Sequence, residues 1–150
     1  MVSAPQKELR FTRSGQAVAF CVLGAVCFGI AATLLATSIY RPINPELPHP
    51  AWIVPCFAMA FAAFWLARHL TLHAYLILTP MGLEIFPFYR PAKGMQMVLW
   101  QEISAVDADK NWLSLHFNNE KTSGMHLSIG PVRKNLRPLL IKAITSRVNR

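Results

Sequence analysis

The chain has 150 residues, of which 53% are hydrophobic and 15% are charged, and its formal net charge is +8. It is richer in apolar residues and poorer in charge than an ordinary soluble domain, and the excess lies in two uncharged stretches. The basic charge is compatible with nucleic-acid binding, but no recognised nucleic-acid motif accompanies it, so nucleic acid is not an expected partner.

The first uncharged stretch follows a polar, basic tail. Residues 1–15 form this tail, which we expect to be cytoplasmic, and residues 16–40 contain no charged side chain. As a helix this stretch reaches roughly 36 Å, enough to cross a hydrocarbon core of about 30 Å. A signal peptide is the alternative, because residues 36–38 resemble a cleavage site. The stretch is longer than the usual signal-peptide core and a second span follows closely, which favours an uncleaved span.

The second stretch completes a membrane hairpin. Four prolines in residues 41–50 oppose helix continuation and predict a short external loop. Residues 51–67 are uncharged, and the span extends to about residue 72 if Arg68 snorkels to the headgroups. We therefore expect a two-helix hairpin over residues 16–73, with spans at about 16–40 and 51–72.

Two features of the hairpin carry further predictions. Small residues at four-residue spacing predict the face on which the helices pack. They are Ala25, Gly29, Thr33 and Thr37 in the first span, and Ala58 with Ala62 and Ala63 with Ala67 in the second. Lys and Arg residues are dense before the first span and after the second, whereas the connecting loop has only Arg41. By the positive-inside rule we expect a multi-pass protein of the cell (inner) membrane with both termini cytoplasmic.

From Ala74 the pattern changes to a period of two, which is typical of strands with one buried face. A helical period then returns, with apolar residues from Leu136 to Val148 on one stripe. Asn135 is the expected N-cap, and an earlier start at Pro131 would place Pro138 inside the helix as a kink. The predicted strands are residues 75–79, 82–88, 95–100, 103–107, 112–117 and 125–129.

This order resembles a pleckstrin-homology-like (PH-like) domain, in which six or seven short antiparallel strands are closed by a C-terminal amphipathic helix. Residues 78–85 (LTPMGLEI) and 99–106 (LWQEISAV), followed by the terminal helix, look like the bacterial PH-like domains that follow a pair of transmembrane helices. The resemblance implies an α+β fold for residues 74–150, with a small antiparallel β-barrel or sheet, Trp100 as a core anchor and Glu102 at the surface.

The resemblance also implies binding or scaffolding, not catalysis. Eukaryotic relatives hold phosphoinositides with a basic first hairpin loop, but residues 89–94 here lack a dense Lys/Arg signature. Nonspecific contact with anionic lipid is one interpretation of the basic residues, and solvated surface charge is the other. The candidate lipid-facing residues are Arg68, Arg90, Lys93, Arg133, Lys134 and Arg137.

Histidines give the only sequence evidence for a metal or haem site. His69 and His73 are four residues apart and would share a face on a continuous helix, but no third ligand is close in sequence. His116 and His126 are expected on the outer face of one hairpin, where they would approach each other.

Carboxylates and cysteines give no catalytic signature. Glu102, Asp107 and Asp109 are the nearest approach to a carboxylate cluster, and the last of them belongs to a predicted turn. All three cysteines lie in the apolar spans without the spacing of a zinc site. We therefore expect neither an enzyme nor a bound cofactor or metal.

The leading hypothesis is a membrane-anchored, noncatalytic interaction or assembly module, with a PH-like domain at the cytoplasmic surface and a membrane-protein partner. Contact with the anionic lipids of the inner leaflet is also expected. The alternatives are an anionic-lipid sensor and a small membrane enzyme or transport subunit.

Overall fold

The structure, a computed structural model, describes residues 7–149. The chain divides into two compact units. The helical unit comprises residues 16–70. The sheet unit is discontinuous: it combines the described residues up to Gly15 with those from Thr71 onward.

The helical unit consists of two long helices, α1 (Ser14–Ser38) and α2 (Ile53–Leu72). The first two residues of α1 and the last two of α2 belong to the sheet unit. A short 3-10 helix, Pro50–Trp52, leads into α2, and His49 caps it by accepting a hydrogen bond from the Ala51 amide at 3.1 Å. Both helices are long and apolar enough to cross a membrane. Only 17% of the most apolar 18-residue stretch of each helix is buried, whereas the core helix of a soluble protein is mostly buried.

Small residues line the buried face of each helix. On α2, Ala63 and Ala67 are buried as the spacing predicted, whereas Ala58 and Ala62 are exposed. On α1, Ala25, Gly29 and Thr33 are exposed. Gly24 is buried instead, and a Cβ added there would lie 3.1 Å from the Phe64 ring. The face predicted for α1 was therefore wrong at these positions, because α1 carries small residues on more than one face and spacing alone does not select between them. The buried small residues are Ala17, Gly24, Cys27 and Ala31 on α1, and Ala60, Ala63 and Ala67 on α2.

The sheet unit contains two antiparallel sheets, of four strands in the order β1-β2-β3-β4 and three strands in the order β5-β6-β7. The strands therefore do not form the closed barrel that the PH-like resemblance offered as one outcome. The predicted strands all form, with ends shifted by a few residues. The seven strands are β1 (Leu9–Thr12), β2 (Ala74–Leu78), β3 (Gly82–Ile85), β4 (Gln96–Leu99), β5 (Ala105–Ala108), β6 (Trp112–His116) and β7 (Gly124–Ser128).

The first strand lies in a segment that the sequence analysis treats as a tail. It pairs with β2 from Leu9 opposite Leu78 to Thr12 opposite Ala74. Its Phe11 is buried in the core at 3% exposure. The two long helices are thus inserted between two neighbouring strands of one sheet.

A single apolar core joins the sheets to the C-terminal helix, α3 (Arg137–Val148). Leu140 and Ile144 of α3 are fully buried. Pro138 lies in the first turn, as the later of the two predicted starts requires, although Leu136 rather than Asn135 occupies the N-cap position. The core residues are Phe11, Tyr75, Leu76, Leu78, Leu83, Val98, Ile103, Leu113, Leu115, Leu127, Ile129, Val132, Leu140 and Ile144.

The two segments that carry the resemblance meet at one corner of the core. The indole Nε1 of Trp100 donates a hydrogen bond to the Thr79 carbonyl oxygen at 2.9 Å, and the partly buried ring packs on the core. Glu102 is exposed and accepts a hydrogen bond from the Leu99 amide at 3.1 Å. Gly82 is required here, because a Cβ would clash with the Val98 carbonyl oxygen across the β3–β4 pair.

Candidate membrane-facing surface

One end of the sheet unit carries both connections to the long helices. Arg13 is the single residue between β1 and α1, and His73 is the single residue between α2 and β2. Because β1 and β2 are antiparallel neighbours, the end of β1 and the start of β2 lie side by side at Thr12 and Ala74. We call this the span-junction end.

Arg13 is packed between aromatic rings at this end. Its guanidinium carbon lies 4.1 Å from the centre of the Tyr75 ring and 5.8 Å from that of Phe88. Its Nη2 also donates a long hydrogen bond, 3.4 Å, to the Phe86 carbonyl oxygen. Burial lowers the pKa of Arg13 and raises that of Tyr75, and the interaction between the two groups opposes each shift in part.

The connection between β7 and α3 reaches the same end. The Tyr75 hydroxyl donates a hydrogen bond to the Ser128 carbonyl oxygen at 2.7 Å, and the Gly15 amide donates one to the Pro131 carbonyl oxygen at 2.9 Å. A Cβ at Gly15 would lie 2.8 Å from that same Pro131 oxygen, so glycine is needed for the close approach. Residues 128–132 are thereby fixed beside the last residues of the N-terminal segment.

The connection between β3 and β4, residues 86–95, is the third part of this end. The Phe86 amide donates a hydrogen bond to the Tyr75 carbonyl oxygen at 2.9 Å, which places the start of the connection beside the start of β2. Arg90 has a positive φ of 56°, and its carbonyl oxygen accepts hydrogen bonds from the amides of Lys93 and Gly94. Phe88 is 43% exposed and Tyr89 is 81% exposed.

Basic residues accumulate on the connections at this end. The β5–β6 turn, residues 109–111, belongs to it as well, because the Ile129 amide donates a hydrogen bond to the Asn111 carbonyl oxygen at 2.9 Å. Asp109 is the single carboxylate in residues 86–95, 109–111 and 129–136. The exposed cations of these connections are Arg90, Lys93, Lys110, Arg133 and Lys134.

The remaining candidate cations lie elsewhere or have structural partners. Arg137 lies on the first turn of α3, and its guanidinium donates hydrogen bonds to the carbonyl oxygens of Gly130 (2.8 Å) and Val132 (3.1 Å) and to Asn111 Oδ1 (3.1 Å). It therefore ties the β7–α3 connection to the β5–β6 turn. Arg68 belongs to α2, in the helical unit, where it is exposed.

A shallow cleft of about 400 Å³ lies beside residues 86–95. The residues that line it include Arg10 of β1, Ile77 of β2, and Pro91 and Ala92 of the β3–β4 connection. The lining is mainly apolar with a basic residue at the border, which suits an amphipathic group better than a small polar substrate.

The comparisons with known proteins identify no relative. No protein-family model, curated protein or solved structure matches the chain. Assignment of the site therefore depends on its geometry.

The two histidines considered as metal ligands lie on either side of the end of α2. His69 lies in the last turn of α2, with its ring centre 5.8 Å from that of Trp65, whereas His73 lies beyond the end of the helix. The helix must end at Leu72 because the chain enters the β2 ladder at Ala74. Among residues 7–149, no group of three or more His, Cys, Asp or Glu side chains is arranged to hold a metal ion.

His116 and His126 lie on the outward face of the three-stranded sheet, but each has a partner other than the second histidine. His116 Nε2 is 3.0 Å from Asp107 Oδ2, and His126 Nδ1 is 2.8 Å from Ser114 Oγ. The register places Ser114, not His116, directly opposite His126, so the two histidines are diagonal neighbours on this face.

The same face contains an ion pair that the sequence did not reveal. Lys121 Nζ lies 2.6 Å from Asp107 Oδ2, and its hydrogen bond is the main reason why the pKa of Asp107 is lowered. A serine–histidine pair can activate a hydroxyl when a carboxylate orients the histidine. Here the carboxylate orients His116 instead, so the Ser114–His126 pair lacks that third member. Asp109 lies in the adjoining turn, and Glu102 caps Leu99, so the three carboxylates form no cluster.

Proposed function

We propose that the protein is a membrane-anchored, noncatalytic interaction or assembly module whose PH-like domain lies at the cytoplasmic membrane surface. One observation carries the proposal: the two candidate spans are inserted between the neighbouring strands β1 and β2. Each connection between a long helix and its neighbouring strand is a single residue, Arg13 or His73.

The PH-like assignment is supported by element order. After the two long helices, six short antiparallel strands, β2 to β7, are followed by one C-terminal helix, which is the order expected of that family, and the two resembling segments meet at Thr79, Trp100 and Gly82. The orientation is supported by charge, since the basic span-junction end suits an anionic inner leaflet.

The open edge of the four-stranded sheet favours a protein partner. β4 is an edge strand in the described structure, and Met97 and Leu99 on it are 41% and 36% exposed. An exposed edge offers unpaired backbone groups to an added strand, and methionine adapts to varied partner surfaces.

Photo-crosslinking in intact cells tests the proposal. A photoreactive residue at Met97 should give one discrete crosslinked membrane protein, and Lys142, exposed on α3, is the matched control position. A second variant tests the edge without disturbing the core. With the photoreactive residue moved to Leu99, Met97→Glu should abolish the crosslink. Equal labelling from Met97 and Lys142, or none from either, would contradict the proposal.

An anionic-lipid sensor is the second candidate, favoured by the cations gathered at the span-junction end. It predicts that hydrogen exchange in residues 129–136 slows as the anionic fraction of a nanodisc rises, and that salt removes the effect. Replacing Arg133 and Lys134 with alanine should remove the response. An equal response in neutral nanodiscs would eliminate this candidate.

A further inference from the structure

We infer that residues 86–95 form a third membrane contact, in which Phe88 and Tyr89 enter the headgroup region of an anionic leaflet while Arg90 and Lys93 bind lipid phosphates. This inference rests on the proposed function, because it requires the chain to be anchored by its two long helices. It adds a defined surface and a defined partner, the anionic bilayer itself.

Strand register places this segment at the span-junction end of the sheet unit. Leu76 pairs with Ile85 in the β2–β3 ladder, so the end of β3 lies beside the start of β2, one residue from α2. β4 then starts at Gln96, opposite Ile85. The connection between them therefore leaves the sheet at the end from which both long helices leave it.

Internal contacts hold the segment in a defined shape. Arg13, the residue immediately before α1, contacts Phe86 through its carbonyl oxygen and lies 5.8 Å from the Phe88 ring centre. A Cβ at Gly94 would lie 2.6 Å from the Pro87 ring, so the two limbs of the loop approach closely. A preorganised loop loses little conformational entropy when it meets a surface.

Composition selects the membrane as the partner. Aromatic rings prefer the headgroup level of a bilayer, and nearby cations are attracted to anionic lipid. Residues 86–95 combine both properties and contain no acidic residue. The β6–β7 turn, residues 118–123, lies at the end of its hairpin away from the span junctions. It has no aromatic residue and contains Glu120. An acidic protein surface would satisfy the cations, but it would not explain why the exposed rings lie at the span-junction end.

Spin-label accessibility in nanodiscs tests the inference on the full chain. Cys21, Cys27 and Cys56 are replaced by alanine, and a nitroxide is attached through Tyr89→Cys. Met81→Cys is the matched control, because Met81 is 70% exposed and lies on the β2–β3 turn at the opposite end of the sheet. In anionic nanodiscs, the ratio of oxygen to nickel-chelate collision rates should be several-fold higher for the label at 89 than for that at 81.

A second measurement guards against damage from the cysteine replacements. In the parent chain, Tyr89→Trp should add fluorescence that lipids brominated near the carbonyl region quench, whereas the fluorescence added by Met81→Trp should not be quenched. Replacing both Arg90 and Lys93 with alanine should reduce the quenching at 89, as should high salt.

The outcomes separate this inference from the proposed function. If the chain co-purifies with the nanodisc and the reporter at 89 is as water-exposed as that at 81, the loop contact is wrong and the anchored module stands. Equal immersion of both reporters would also overturn it, since immersion would then not be specific to this loop. A chain that fails to enter nanodiscs contradicts both.

Discussion

The guanidinium carbon of Arg13 lies 4.1 Å from the centre of the Tyr75 ring, although the whole two-helix insertion separates the two residues in sequence. Arg13 directly precedes α1 and Tyr75 follows closely after α2, so this contact closes the insertion at its base. It joins the two segments of the discontinuous sheet unit at the point where each one connects to a candidate span.

Arg13→Ala should weaken the β1–β2 ladder. Loss of a partly desolvated cation–π contact costs roughly 0.5–2 kcal/mol. Hydrogen exchange in nanodiscs measures this loss as a lower opening free energy of the β1 and β2 amides. Arg13→Lys should retain only part of the contact energy, because an ammonium does not reproduce guanidinium stacking. Arg10→Ala, an exposed cation on the same strand, is the control. An equal loss in the Arg10 variant would attribute the effect to charge alone.

Tyr75→Phe should remove a pH-dependent contribution to stability. Burial raises the pKa of Tyr75, so the folded state holds the phenolic proton more tightly than the unfolded state does. The stability of the parent therefore includes a contribution that is complete below the unfolded pKa of about 10 and is lost as pH rises through the folded value. Unfolding measured between about pH 9 and 11 should show a steeper decline for the parent than for the variant. Tyr89→Phe, at an exposed position, should retain the slope of the parent.

Arg137→Ala should affect folding more than lipid binding. The variant leaves the carbonyl oxygens of Gly130 and Val132 without their charged donor, a loss of roughly 1.5–3 kcal/mol for hydrogen bonds to a charged group. Exchange should accelerate in residues 109–111 and 129–132. Lys134→Ala, an exposed neighbour, should leave exchange there nearly unchanged. If Lys134→Ala accelerates exchange equally, Arg137 does not have this structural role.

Lys121→Gln should raise the pKa of Asp107 toward the ordinary value of about 3.9. The Lys121 hydrogen bond is the largest cause of the lowered pKa, and His116 contributes less. A lowered carboxyl pKa stabilises the fold above the unfolded value, and this contribution is lost as the pH falls. Carboxyl carbon NMR titration reports the shift directly. Lys142→Gln, which removes an exposed cation from α3, should leave the Asp107 titration where it is in the parent.

Leu140→Ala should destabilise the sheet unit strongly. Leu140 is fully buried in the core, and truncation of a buried leucine costs about 2–5 kcal/mol. The adjacent Leu139 is 51% exposed, so Leu139→Ala should change stability by less than about 0.5 kcal/mol. Thermal unfolding, monitored by hydrogen exchange of the β5 and β6 amides, distinguishes the two variants. Similar losses in both variants would mean that α3 packs with a different face.

Local pattern determined the elements whose signal lies within one segment. An uncharged apolar run predicted each long helix, a period of two predicted β2 to β7, and a period near 3.6 predicted α3. Pro138 was correctly placed in the first turn, because its fixed φ and missing amide hydrogen are tolerated only there. The packing of Trp100 on the core followed from the resemblance to PH-like domains.

Only the tertiary structure decided the relationships between distant segments. Four residues of β1 carry too little pattern to predict a strand, and their partner β2 lies beyond the whole insertion. The buried face of α1 depended on where Phe64 packs, and the role of Arg137 depended on four acceptors from two connections. Pairing, packing and hydrogen bonding are settled by the complete fold, because each requires a partner that the local sequence does not specify. For the same reason, the sequence supplied the basic residues, whereas the register of the strands gathered them beside the candidate spans.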